Sequence, residues 1–123
     1  MPIQGSCHCG AVTYAFDDQP TAATRCNCSI CRKLGAVWIY ADAARVTFTA
    51  AEDALVRYSH GDRALAFHSC ATCGATTHWA MRVDPGQGKI AVNLMLADPE
   101  VINQVPVRHF DGAETWTFLE DDD

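Results

Sequence analysis

Seven cysteines set the terms on which this 123-residue chain folds. They fall in three clusters: Cys7-His8-Cys9-Gly10, Cys26-Asn27-Cys28-Ser29-Ile30-Cys31 and Cys70-Ala71-Thr72-Cys73-Gly74. An odd number of thiols cannot be consumed by disulfides within one chain. Four plus three is instead the arithmetic of one closed tetrahedral zinc site and one open one.

The first and third clusters read as the closed site. In an extended Cys-x-Cys segment, side-chain alternation puts both sulfurs on one face. Cys-x-x-Cys-Gly is a tight knuckle whose glycine accepts positive φ. Cys7, Cys9, Cys70 and Cys73 are thus expected to hold a structural zinc that pins the N-terminal strand to the middle of the chain. The alternative is that they are buried free thiols. A metal site absent from the unfolded chain contributes its affinity to folding, so metal removal should loosen the domain.

The middle cluster reads as the open site. Cys28 and Cys31 share a face on one helical turn, and Cys26 lies just before it. Three thiolates on Zn²⁺ leave a formal charge of −1, which favours a soft fourth ligand such as another thiol. A metal-bound thiol is deprotonated. Arg25, Arg32 and Lys33 flank the cluster. They are expected to stabilise thiolates or to hold the carboxylates of a small anionic thiol such as glutathione. The alternative for Arg32 and Lys33 is a solvated helix C-terminus, where positive charge is favoured anyway. A fourth ligand from His8, His60, His68, His78 or His109 would close the site. His8, between two expected ligands of the other zinc, is the weakest of these. Thiolates alone could also hold an iron–sulfur cluster. Aldehyde chemistry here would need a general acid or base; one of the histidines could serve, and none is singled out.

The rest of the composition narrows the partners. The length suggests one domain, residues 1–119, large enough to form a core without staples. The net charge is −6, of which the tail Glu120-Asp121-Asp122-Asp123 carries −4. With no basic footprint, a nucleic-acid partner is not expected. No apolar run approaches the roughly 20 residues of a membrane span. Nor does the N-terminus read as a signal peptide, so a reducing cytoplasm is the expected setting.

Period-two alternation rich in Val, Thr, Tyr, Phe and Trp predicts strands over residues 11–16, 45–49, 54–59, 64–69, 76–81 and 89–94. Residues 36–41 read as a more fully buried strand. Turn signals fall at 17–20, 60–62 and 84–88. Residues 29–34 predict a short helix stopped by Gly35. A second helical turn starts at Asp98-Pro99-Glu100, with Asp98 as N-cap. The expectation is a mainly-β single domain. Trp38, Trp79 and Trp116 are expected in core, pocket or interface.

In these three ordered cysteine motifs the chain resembles the glutathione-dependent formaldehyde-activating enzyme family, which also includes centromere protein V. The likeness extends to Asn93-Leu94-Met95-Leu96-Ala97-Asp98-Pro99 and His109-Phe110-Asp111-Gly112. The resemblance implies coiled β-sheets similar to the Mss4-like fold. It implies a structural zinc on Cys7, Cys9, Cys70 and Cys73, and an active-site zinc on Cys26, Cys28 and Cys31. The reaction it implies is that of a carbon–sulfur lyase, joining formaldehyde and glutathione as S-hydroxymethylglutathione. Another small thiol or aldehyde is a narrower variant. A non-catalytic zinc module that binds a protein is the alternative. Asp111-Gly112 by itself reads simply as a turn.

Overall fold

The computed structural model describes residues 3–17, 20–51, 53–59, 64–83 and 88–119. The tail 120–123 lies outside the described residues, as does His60 with most of the expected turns at 17–20, 60–62 and 84–88. Strands dominate: β1 (Ile3–Ser6), β2 (Val12–Phe16), β3 (Ala23–Cys26), β4 (Trp38–Asp42), β5 (Val46–Ala50), β6 (Leu55–Tyr58), β7 (Leu65–Cys70), β8 (Thr76–Met81), β9 (Lys89–Asn93), β10 (Val107–Asp111) and β11 (Thr117–Phe118). Two six-residue helices, α1 (Ser29–Leu34) and α2 (Pro99–Gln104), complete the regular structure with two 3₁₀ turns. The expected mainly-β class is the one observed. No described helix is long and apolar enough to cross a membrane.

The strands form two sheets. One is the antiparallel trio β1-β2-β5, and the other runs β11-β10-β3-β4-β9-β8-β7-β6. All pairs in the larger sheet are antiparallel except β3 with β10. Burial explains the layering. In β1 and β2 every second residue is buried, the signature of strands with one face on a core. Ile3, Tyr14 and Phe16 of the small sheet pack with Ile39, Ile90 and Val92 of the large one and with Val37 just before β4. Burying each large aliphatic side chain contributes about 1.5–3 kcal/mol. Strand β9 is buried from Ile90 to Asn93 because both faces of the large sheet are covered there. A second cluster holds the outer face: Cys26, Cys31, Ala36, Trp38, Phe67 and Ala91.

Asn93 joins these layers. It is 6% exposed. Its Oδ1 accepts from Val37 N at 3.3 Å and Met95 N at 3.1 Å, and its Nδ2 donates to Thr76 O at 2.9 Å. One buried amide thereby satisfies three backbone groups on three segments. Gly35 ends α1 at φ 68, as expected. Asp98 occupies the N-cap position of α2, but its side chain makes no capping hydrogen bond. Four strands lack a clear sequence signal: β1, β3, β10 and β11. Ala23-Thr24-Arg25-Cys26 has no clean alternation, and β10 is held by parallel pairing to a strand far away in sequence.

Candidate metal and thiol site

The first and third cysteine clusters meet as two matched knuckles. Cys7 N donates to Val12 O, and Cys70 N to Ala75 O, both at 2.9 Å. Gly10 N bonds Cys7 O and Gly74 N bonds Cys70 O. Both glycines have positive φ, 85° and 82°, a conformation costly for other residues. Cys7-x-Cys9 is therefore not extended, as the alternation argument expected. It turns like its counterpart, and the backbone bonds aim the sulfurs. Cys7 and Cys9 sulfurs lie 3.7 Å apart, Cys9 and Cys70 sulfurs 3.6 Å. A zinc tetrahedron with Zn–S bonds of ~2.3 Å has sulfur–sulfur edges of ~3.8 Å, whereas a disulfide needs ~2.05 Å. All four ligand atoms lie within 4.8 Å of one another, a donor set that fits zinc. The Ala11 N–H draws Cys9 down, but the Cys70 thiol and burial push it up to about 11, whereas backbone N–H groups favour the thiolate at the third cluster. Those of Ala75 and Cys9 bring Cys73 down to about 6, and those of Cys73 and Thr72 lower Cys70.

The middle cluster is built where a strand gives way to a helix. Cys26 ends β3, Cys28 takes the N-cap position of α1, and Cys31 lies in its first turn. The helix bond from Arg32 N to Cys28 O fixes the spacing. Their three sulfurs lie within 4.8 Å of one another, and among the described residues no further His, Cys, Asp or Glu donor joins them. The fully buried Trp38 donates its indole N–H to Cys31 Sγ at 3.3 Å. Three thiols this close resist sharing three negative charges. Burial first, then the hydrogen bond and charge of Cys28, push Cys31 up to about 12 against the Trp38 bond. Burial also raises Cys26. Cys28 goes down: burial opposes this, but backbone N–H groups of Cys31 and Ile30 and the neighbouring thiols outweigh it. A divalent cation inverts that balance for all three. The set fits zinc with one position to spare.

A turn over residues 111–116 leans on these thiols. Asn27, the residue between Cys26 and Cys28, donates Nδ2 to Asp111 Oδ1 at 3.0 Å and accepts from Ala113 N at 3.0 Å. The Asp111 carboxylate also accepts from Thr115 N and Oγ1. These donors, Asn27 first, hold its pKa below the ordinary value. A Cβ added at Gly112 would lie 2.6 Å from Cys26 Sγ. Asp111-Gly112 is thus a turn, as its sequence suggested, but one whose glycine is set by contact with a thiol.

The three cysteines open onto a cavity of about 700 Å³, a size ordinary for small-molecule sites. Its wall follows from strand alternation across the outer face of the large sheet. Thr24, Tyr40, Phe67, Trp79 and Phe110 point the same way from β3, β4, β7, β8 and β10. Trp116 and Phe118 form the lip, Ile30 and Leu65 fill between, and Lys89 is the single cation among the described lining residues. Of these residues, sequence alone marked only Trp79 and Trp116, and those no more closely than for core, pocket or interface, because the strands that carry the wall are far apart along the chain. Tyr40 is pushed up to about 12, first by burial and then by the three thiols. Two other clefts, of about 470 and 630 Å³, hold no cysteine.

The flanking cations do not line this cavity. Arg25 alternates with Cys26 along β3 and so points off the opposite face, exposed. Arg32 and Lys33 are exposed in the last turn of α1. The described histidines stand elsewhere too. His8 is exposed in the first knuckle. His68 and His78 stack at 4.3 Å on the inner face, with Phe48 3.9 Å beyond His78. Burial first brings His68 down to about 4 and His78 to about 3. His109 alternates with Phe110 on β10. No histidine is thus among the described residues that line the cavity.

Comparison with known proteins agrees with this geometry. The chain belongs to the family described as "Glutathione-dependent formaldehyde-activating enzyme", whose profile matches residues 2–110. A protein of Halomonas elongata, provisionally named a glutathione-dependent formaldehyde-activating enzyme, is 53% identical over 34 residues. That match spans 27% of this chain and only 22% of the relative. A crystal structure of a Rhodobacter sphaeroides protein, a structural genomics target, is similar at a TM-score of 0.68 and 31% identity. It matches over 85% of this chain and 99% of its own.

Proposed function

We propose that this chain, a member of the glutathione-dependent formaldehyde-activating enzyme family, makes and breaks carbon–sulfur bonds between a small thiol and an aldehyde. It would then be a zinc-dependent carbon–sulfur lyase. Glutathione and formaldehyde, joined as S-hydroxymethylglutathione, are the pair the family description points to. One observation carries the reading: three sulfurs, with no fourth donor among the described residues, open onto a cavity of about 700 Å³. A protein-interaction module would need no such opening.

In the forward direction the thiol sulfur gives up its proton and bonds to the carbonyl carbon. The C=O π electrons move to oxygen, which takes a proton. The reverse step breaks the C–S bond and returns thiol and aldehyde, with no redox change. Zinc on Cys26, Cys28 and Cys31 would supply a soft site that keeps the incoming thiol deprotonated. The chain's own residues do the rest. Trp38 orients Cys31 through its indole N–H. Asn27 and Asp111 hold the 111–116 turn against Cys26. Tyr40 and Thr24 bring hydroxyls to the cavity wall. Tyr40 stays protonated at neutral pH and is suited to donate to the adduct oxygen.

Cys7, Cys9, Cys70 and Cys73 would hold a second zinc as a staple. A reducing cytoplasm suits the seven free thiols. Exchange NMR on glutathione and formaldehyde, with and without zinc-loaded protein, tests the reading. Faster exchange, lost in Cys28→Ser, is the expected result. No acceleration together with no thiol binding would sink it.

A further inference from the structure

We infer that the substrate carried by this cavity has an aromatic or comparably flat apolar body next to its sulfur or its carbonyl carbon. The inference rests on the proposed thiol–aldehyde chemistry and narrows its substrate class. Beside the cysteines, six aromatic rings line the space: Tyr40, Phe67, Trp79, Phe110, Trp116 and Phe118. Five of them pack in two groups. Tyr40 and Trp79 meet at 6.0 Å and 55°. Phe110 stands edge-on to Trp116 at 5.1 Å and to Phe118 at 5.0 Å. Edge-to-face and offset geometry is what such rings offer to another ring. Trp116 holds its place at φ 57, a left-handed conformation uncommon for a bulky residue, with its N–H bonded to Asp111 O at 2.7 Å.

The polar inventory points the same way. Glutathione carries two carboxylates and an ammonium. A carboxylate moved into an apolar space without a partner is costly. The single cation among the described lining residues, Lys89, is exposed and already 3.3 Å from Asp42. The cations beside the cysteine motif, Arg25, Arg32 and Lys33, are not in the wall. Arg108 adds a second cation nearby, 3.8 Å from the centre of the Phe118 ring, but the wall itself offers its occupant mainly rings.

Two sources share this chemistry, an aryl thiol and an aryl aldehyde, and two arms of one experiment separate them. Zinc-loaded full-length protein is titrated with benzyl mercaptan against glutathione. In parallel it is titrated with benzaldehyde against formaldehyde, each with 2-mercaptoethanol. Tryptophan fluorescence and melting temperature are the readouts. In at least one arm the aryl compound should bind roughly tenfold or more tightly than its counterpart. Trp79→Ala should remove most of that preference. Tyr40→Ala, at a half-exposed position, should do the same and keeps the test open where the tryptophan variant fails to fold. Glutathione and formaldehyde binding as tightly as the aryl compounds would overturn the inference and leave the thiol chemistry standing. If no thiol or aldehyde of either kind binds, both fall.

Discussion

Gly112 has an ordinary φ, unlike Gly10, Gly35, Gly74 and Gly88, so its backbone conformation does not call for glycine. The space does. A methyl group there would lie 2.6 Å from Cys26 Sγ, 3.3 Å from Cys28 Cβ and 3.5 Å from Trp116 Cζ3. Ordinary contacts begin at ~3.5 Å, so Gly112→Ala creates an overlap of roughly 1 Å with the sulfur. Either Cys26 swings away from its partners, or the 111–116 turn lifts and the Asn27 bonds to Asp111 and Ala113 break. Overpacking costs about 1–3 kcal/mol, and the two hydrogen bonds about 1 kcal/mol each. A loss of ~2–3 kcal/mol at the open site corresponds to roughly 30–150-fold in metal affinity. Titration of the apo protein with cobalt, back-competed with zinc and a chelator, reads the two sites separately. One metal should weaken by that factor while the other, on Cys7, Cys9, Cys70 and Cys73, is unchanged. Wild-type affinity at both sites would refute the contact argument. Equal weakening at both would mean that the whole fold had been disturbed instead.

Three further outcomes follow from the same geometry. Cys70→Ser should abolish cooperative folding, seen as lost near-UV circular dichroism, since a structural metal's affinity rivals the ~5–15 kcal/mol stability of a domain. Cys28→Ser should keep the fold, and identical melting of the two variants would contradict the division of labour. Asn93→Leu strands three backbone groups, two of them buried, and should cost roughly 2–6 kcal/mol in urea unfolding; a change under about 1 kcal/mol would remove its assigned role. His78 is held at about 3, first by burial and then by His68 and Arg57, below an unfolded value of ~6.5. The unfolded chain therefore takes the proton first. This group's contribution to stability is complete above ~6.5 and falls as pH drops toward 3, by up to about 1.4 kcal/mol per pH unit. Ring ¹⁵N shifts should report a neutral imidazole at pH 5, and a charged one there would overturn the burial argument.

Much of this was legible before any coordinates, but unevenly. Cysteine spacing carries metal-site geometry because the ligands of each cluster lie within five residues of one another. Hence Cys26, Cys28 and Cys31 converge as the helical spacing predicted. Alternation likewise marks a strand with one face on a core, such as β2. The cavity wall was not legible, since its rings reach one face only through pairings such as parallel β3–β10. Arg25 shows a near miss. Once β3 is known to be extended, period two separates Arg25 from Cys26, yet Ala23-Thr24-Arg25-Cys26 does not announce a strand. Cys7-x-Cys9 erred the other way, read as extended where Gly10 makes a turn.

The central claim is that Cys26, Cys28 and Cys31 hold one metal with a position left for a substrate thiol. X-ray absorption at the zinc edge on protein with two zincs per chain tests it most directly. The average first shell should be seven sulfurs and one lighter atom over the two sites. Added thiol should convert it to sulfur alone. A shell that already holds a histidine from the chain, or that thiol leaves unchanged, would contradict the account.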